Sequence, residues 1–387
     1  MKAFFLLFVC FFLVSCSSRN EAEIDLDLHD FQIKFESVLN IRTESPIKSS
    51  FQVHQVYEDS LFYGLNPFEE PNVLYVFDLK NEGFVKKIVL DQNLFKVDMM
   101  NFLVHRPDSI FFHAFSTKDV YLVNGNGDQI GHWDLDKAQG VNYPGEFGYF
   151  LPFSIYHKFY YENEWGHLVL PISDNYFHEE RGDSELPKVL IFDIYKNEIV
   201  RFIAPPSGRM ANRGSASFPG DILIPQILIH NGFLYISYPF DDEINVFELS
   251  TGELTLSKNP LNGRELGLYE PKSPEIMSDR SKSWQFRSEM PFFENLSFHP
   301  QLELFSRIYQ HPYHSEKDPE KTYVRKSTIV YFDKNLNFKG KQDFVPGELG
   351  VYKNSSMNKG YLSSKSDFFI ESDEFLNHKQ IVKFEEL

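Results

Sequence analysis

Val189-Leu190-Ile191-Phe192-Asp193, followed closely by Lys196-Asn197, is a short apolar run that ends in an acid and a turn. A run of this length is too short for a helix. Its apolar and aromatic residues, broken by turn residues, suit a short strand. The same unit returns along the chain as Val73-Leu74-Tyr75-Val76-Phe77-Asp78, Val120-Tyr121-Leu122-Val123-Asn124 and Ile244-Asn245-Val246-Phe247-Glu248. It returns again as Ile329-Val330-Tyr331-Phe332-Asp333, and more weakly as Ile381-Val382-Lys383-Phe384-Glu385. Each of the first five is followed by turn residues: Asn81 and Gly83, Gly125-Asn126-Gly127, Lys196-Asn197, Thr251-Gly252, and Lys334-Asn335.

Working outward, another strand-like run precedes each copy, at 60–64, 109–115, 167–172, 232–238, 301–309 and 366–370. A further run follows five of them, at 84–90, 128–134, 198–204, 252–257 and 337–344. No long stretch carries a helical period. Many short strands with regular turns imply a sandwich, barrel or propeller, and the repeat selects the propeller. The positions before the acid or amide (77, 123, 192, 247, 332 and 384) are spaced by 46, 69, 55, 85 and 52 residues. A four-stranded blade takes about 40–50 residues, so the longer intervals carry insertions, placed at 174–187 and 257–291. The expectation is an all-β propeller of six four-stranded blades, with seven as the alternative. The last copy has no fourth strand after it. The alternating segment Asp30-Phe31-Gln32-Ile33-Lys34-Phe35 has no unit of its own, so the N-terminal strand is expected to close the last blade.

The 38 Lys and Arg against 55 Asp and Glu give a formal charge of −17. That argues against a nucleic-acid partner, which needs a cationic surface. An aromatic content of 16% argues against a disordered acidic chain. With 2 Cys there is no disulfide framework and no thiolate metal cluster.

Both cysteines fall in the leader Met1 to Cys16, in which Lys2 precedes an apolar run over 3–14. That run is short of the ~20 residues of a spanning helix. It ends in Leu13-Val14-Ser15-Cys16, which resembles the lipobox of bacterial lipoproteins. The resemblance implies a signal peptide over 1–15, an acylated (palmitate-bearing) Cys16, a tether over 16–24 and one propeller domain over 25–387. Cys16 is followed by Ser17 rather than Asp, which in bacterial sorting implies the outer membrane, reached through the lipid anchor alone. Together with the Phe-rich strands and the Phe-Asp turns, the leader makes the chain resemble the uncharacterised six-bladed propeller lipoproteins of Bacteroidetes. That likeness implies location and fold and brings no activity with it.

A second repeat lies between the blade units: Gly145-Glu146-Phe147-Gly148-Tyr149-Phe150, Gly347-Glu348-Leu349-Gly350-Val351-Tyr352 and Glu265-Leu266-Gly267-Leu268-Tyr269. Pro219-Gly220-Asp221 is a looser copy. These segments lead from a fourth strand to the next first strand, on the face where propeller ligands bind. Glu146, Asp221, Glu265 and Glu348 would then surround one funnel and could hold a cation, an amine or sugar hydroxyls. The same pattern also serves packing, with Gly in the turn and the aromatic in the core. Arg209 and Arg213 lie in a small-residue connector at 205–220 and could orient an anion, or simply be exposed. His311 and His314, three apart, are a weak metal pair, because zinc wants three or more fixed ligands. Asn124-Gly125-Asn126-Gly127-Asp128 reads as a hairpin turn and lacks the distal Glu of a calcium loop.

With no nucleophile elbow and no cofactor loop, the expected function is a monomeric binding or scaffold module. It would take a protein, peptide or glycan on the inter-blade loop face and need no cofactor. The alternative is a hydrolase or lyase working through funnel carboxylates, with Ca²⁺ as its only candidate cofactor.

Overall fold

The computed structural model describes residues 31–40, 53–58, 60–66, 70–81, 83–91, 99–114, 117–145, 148–152, 158–174, 186–206, 224–261, 266, 282, 289–299, 302–313, 325–344, 361–362, 368–372 and 378–386. The first strand is β1 (Phe31–Asn40). Sheet A joins β2 (Val53–Tyr57), β3 (Leu61–Asn66), β4 (Glu70–Asp78) and β5 (Gly83–Val89). Sheet B joins β6 (Met99–Arg106), β7 (Ser109–Ala114), β8 (Asp119–Val123) and β9 (Gln129–Asp134). The next strands are β10 (Gln139–Gly140), β11 (Tyr149–Phe150), β12 (Tyr160–Glu162), β13 (His167–Pro171), β14 (Ser173–Asp174), β15 (Val189–Asp193) and β16 (Glu198–Ile203). Sheet C is ordered β12-β13-β15-β16-β10, while β11 and β14 form a ladder of their own. Sheet D joins β17 (Gln226–His230), β18 (Phe233–Ser237), β19 (Ile244–Glu248) and β20 (Leu254–Lys258). Sheet E joins β21 (Phe292–His299), β22 (Leu304–Gln310), β23 (Ser327–Phe332) and β24 (Phe338–Phe344). Sheet F contains β25 (Tyr361–Leu362), β26 (Phe368–Ser372) and β27 (His378–Glu386), with β1 as its outer strand.

This is an all-β propeller arrangement of small antiparallel sheets. The expected six like four-stranded blades need one correction. Among the described residues five sheets have four strands, and sheet C has five because β10 adds in parallel to the outer edge of β16. The expected closure is found: β1 pairs antiparallel with β27, from Phe31 opposite Glu386 to Asn40 opposite His378. The insertions expected at 174–187 and 257–291 fall largely outside the described residues, as do the leader and tether.

The burial of the strands explains their composition. All five residues of β15 are buried, and so are all six of β23. The outer strands β9 and β20 are exposed or half-exposed throughout. Inner strands are covered on both faces by neighbouring sheets, so they read as unbroken apolar runs. One apolar cluster joins sheets A and B through Leu65, Val76, Val104 and Phe112. Others join B to C through Phe111 and Leu168, C to D through Ile191 and Ile236, and D to E through Tyr235 and Phe305. Between sheets A and B the Gln55 amide imitates a ladder. Its nitrogen donates to the Val104 carbonyl (3.0 Å), and its oxygen accepts from the Val104 N–H (2.8 Å).

The recurring acid or amide has a local cause. Asp193 Oδ1 accepts the N–H groups of Tyr195 and Lys196, both at 2.9 Å. Asp78 does the same for Lys80 and Asn81, Asn124 for Asn126 and Asp128, and Asp333 for Asn335 and Asn337. This is the Asx turn, in which a short side chain closes the backbone. A β-bulge precedes this turn in sheets A, B, C and E and the Glu248 turn in sheet D, with register shifts at Val76/Phe77, Leu122/Val123, Ile191/Phe192, Val246/Phe247 and Tyr331/Phe332. The repeat that identifies the fold is thus a bulge followed by a turn, built from one strand end.

Removing residues 1–40 takes away the outer strand of sheet F and bares the edge of β27, whereas removing residues 1–24 does not. The shorter truncation should melt like the full chain. The longer one should lose roughly 5 °C or more in Tm or aggregate. Equal melting of the two in a thermal scan would contradict strand closure.

Candidate functional site

In each four-stranded sheet of A to E the first strand starts, and the second meets the third, at one end of the sheet. This is the loop end, where the connections between sheets also arrive. Glu146, Asp221, Glu265, Glu348, Arg209, Arg213 and His314 all lie outside the described residues. Their described neighbours take part in turns and packing. Gly148 has φ +71°, and its N–H meets the Gly145 carbonyl at 3.2 Å. Tyr149 lies in the core between sheets B and C, and Leu266 packs on the cluster of Leu261 and Phe293. His311 is described. Its ring Nε2 lies 2.7 Å from Thr328 Oγ1, which itself donates to Asp343 at 2.6 Å. Burial, with Lys326 nearby, lowers the His311 pKa. Among the described residues no three His, Cys, Asp or Glu side chains gather as a metal site, and no helix is long and apolar enough to cross a membrane.

Sheet E instead carries a buried polar set. On β21 Glu294 is opposite Ile308, and three residues later Ser297 is opposite Ser306. Strict alternation would put Glu294 and Ser297 on opposite faces. The intervening bulge, with Asn295 at φ 54°, returns them to the same one. Glu294 Oε1 accepts from Gln310 Nε2 (2.7 Å), and Gln310 Oε1 accepts from Ser327 (2.9 Å). Further along this face the His299 ring meets the Ser306 hydroxyl at 2.7 Å. The Ser297 hydroxyl is buried with no hydrogen-bond partner among the described residues.

Glu294 is 6% exposed. Burial pushes its carboxyl up to about 7, against the weaker opposing pull of the Gln310 bond and the Arg325 charge. Burial drives His299 down to about 3, so this imidazole stays neutral. Charge in a dry site is costly, and both groups avoid it.

Two buried arginines fasten the connections. Arg307 is fully buried, donates to the Asp241 carbonyl (3.1 Å) and the Asp242 carbonyl, and reaches Ser237 Oγ at 3.4 Å. Its guanidinium lies 3.6 Å over the Phe293 ring. Burial lowers it to about 9, still protonated at neutral pH. Arg325 donates to the carbonyls of Met290 (2.5 Å) and His311 (3.3 Å) and sits over Phe292. One guanidinium therefore ties the loop of sheet D, and the other ties the entry into β21. Sequence reasoning missed Glu294, Arg307 and Arg325. The available signal was a charge inside an apolar strand, as in Phe292-Phe293-Glu294 and Arg307-Ile308-Tyr309.

No family model matches the chain, and no curated protein matches it. Its fold is similar to that of a member of the duf4221 family from Bacteroides vulgatus. The TM-score is 0.65 at 13% identity, over 92% of this chain and 99% of that one. It is also similar to a putative exported protein from Bacteroides fragilis, with TM-score 0.52 and 13% identity, over 94% of this chain and 97% of that one. At such identities the likeness is one of fold, and it agrees with the propeller expected from the strands and with the Bacteroidetes type that the resemblance implied.

Glu294→Gln puts a permanently neutral amide where the fold keeps a neutral acid. The wild-type carboxyl holds its proton up to about pH 7 when folded and only to about pH 4 when unfolded. Its contribution is therefore fully present below the unfolded pKa and is lost as pH rises through the folded one. In urea titrations from pH 4 to 8, the variant should gain on the wild type by up to about 3 kcal/mol. A stability difference that stays flat with pH would contradict the assignment.

Proposed function

We propose that the protein is an exported, lipid-anchored propeller that binds a partner on its loop end. The observation that carries this reading is the use made of Arg307 and Arg325. Both donate to main-chain carbonyls of connecting segments rather than to a cleft. Their effect is to hold the described connections at Asp241–Asp242, Met290 and His311 in place, and fixed loop segments are what a binding module needs. The partner class is a protein, peptide or glycan. Export and acylation at Cys16 rest on Leu13-Val14-Ser15-Cys16, and the Bacteroides fragilis neighbour, described as a putative exported protein, agrees with export. Ser17 in place of Asp supports the outer membrane as the destination.

A second reading, a hydrolase or lyase, draws on Glu294, whose carboxyl titrates near neutrality at the loop end. Its burial and its bond from Gln310 favour a structural role. A Ca²⁺-dependent version of this reading requires Ca²⁺ to raise Tm. The binding reading expects the same melting curve in excess Ca²⁺ and in chelator.

Photo-crosslinking amino acids test the face directly. Substituted at Pro205 or Pro312 on the loop end, they should give a discrete, slower-migrating adduct in intact cells. At Lys80 or Lys334, on turns at the opposite end, they should give none. Adducts from the turn positions alone, or from neither set, would overturn the reading.

A further inference from the structure

The end of sheets A to C opposite the loops carries features that the loop-end reading does not use. A cleft of about 670 Å³ opens there, lined by Tyr57, Lys86, Arg106, Pro107, Asp108 and Asn126 among others. That volume is in the range of small-molecule sites, about 300–1,000 Å³. The cleft is braced. Lys86 of sheet A donates to the Gly125 carbonyl of sheet B at 2.5 Å. A Cβ on Gly125 would fall 2.7 Å from the Pro107 carbonyl oxygen, so the two turns of sheet B meet closely here.

Arg106 differs from the buried arginines of the loop end. Its guanidinium has no hydrogen bond or ion pair among the described residues. Arg106 lines the cleft together with Tyr57, and it follows His105, whose ring packs against Tyr161. It thus stands where the cleft meets a group of aromatic rings.

Those rings are held in place while facing outward. Tyr195 is 76% exposed. Its ring lies directly on Gly166, where a Cβ would fall 2.2 Å from Cε2. The Tyr195 and Tyr161 hydroxyls are 3.2 Å apart, and His105 meets the Tyr161 ring edge-on at 4.8 Å. Beneath them Trp133 Nε1 donates to the Ile194 carbonyl at 2.9 Å, which fixes the strand end that bears Tyr195. Trp165, 36% exposed, flanks the group. An aromatic plate fixed by its neighbours and left open to water is a prepared contact surface.

We propose that this surface binds a carboxylate-bearing saccharide, at a site separate from the loop end. A pyranose presents an apolar C–H face that an exposed aromatic ring covers. The uronate carboxylate matches the planar fork of Arg106. Asp108 and Asn126 offer partners for ring hydroxyls. A neutral sugar leaves Arg106 unmatched.

The test uses the detergent-solubilised full-length protein and three probes: a glucuronic-acid trisaccharide, a glucose trisaccharide, and an acidic peptide containing Phe. Titration calorimetry should show binding of the acidic trisaccharide that weakens with salt, with the glucose trisaccharide at least tenfold weaker. Arg106→Gln and Tyr195→Ala should each weaken binding tenfold or more at unchanged Tm, whereas Tyr195→Phe should retain it. Retention by the Phe variant separates loss of the plate from loss of folding. No binding of the acidic trisaccharide would overturn the proposal. So would affinity unchanged in both variants, equal affinity for the neutral sugar, or tighter binding of the peptide. None of these outcomes bears on crosslinking at the loop end.

Discussion

A four-stranded sheet with apolar residues on both faces cannot stand alone in water, and everything else in this molecule follows from that constraint. The residues of β15 and β23 are buried throughout, so each sheet needs a neighbour on either side. A row of such sheets finds neighbours for its terminal members only by curving into a ring. Pairing of β1 with β27 builds the last sheet from both chain ends. The same pairing keeps β27 from being an open edge. With its 2 cysteines at positions 10 and 16, outside every strand, hydrogen bonds and burial must do what a disulfide does elsewhere.

The third strands were legible because burial on both faces leaves a plain mark: a short apolar run with no polar alternation. Their ends were legible because an Asx turn needs Asp or Asn at one position, seen at Asp78, Asn124, Asp193 and Asp333. The extra strand β10 was not legible. Gln139 and Gly140 have no strand character, and they join β16 only because the chain passes along its edge. Nor was the polar set of sheet E. Glu294 and Arg307 look like isolated charges in Phe-rich runs, and nothing local shows that Gln310 and the Asp241 carbonyl lie in reach. The repeated Glu-containing connectors were visible as a pattern. The described flanks at Gly148, Tyr149 and Leu266 take part in a turn and in packing, while the Glu residues themselves lie outside the described residues.

The two ends of the ring use charge differently. At the loop end the guanidinium groups of Arg307 and Arg325 point into the fold and hold main-chain carbonyls, and burial pushes the Glu294 carboxyl up to about 7. At the turn end Arg106 lines an open cleft, and Tyr195 lies exposed on a glycine that no other residue could replace without displacing the ring. Cations are turned inward at one end, and at the other a cation lines an open cleft beside an exposed ring.

Closure of the ring by the two chain ends is tested most directly by disulfide trapping in the observed register. Lys34 and Lys383 are directly opposite one another across β1 and β27. Cysteines placed at both positions should form an intramolecular disulfide rapidly under mild oxidation. A pair moved four residues out of register, such as Lys34→Cys with Lys379→Cys, should not. Equal trapping of both pairs, or only intermolecular dimers from the matched pair, would contradict the closed propeller.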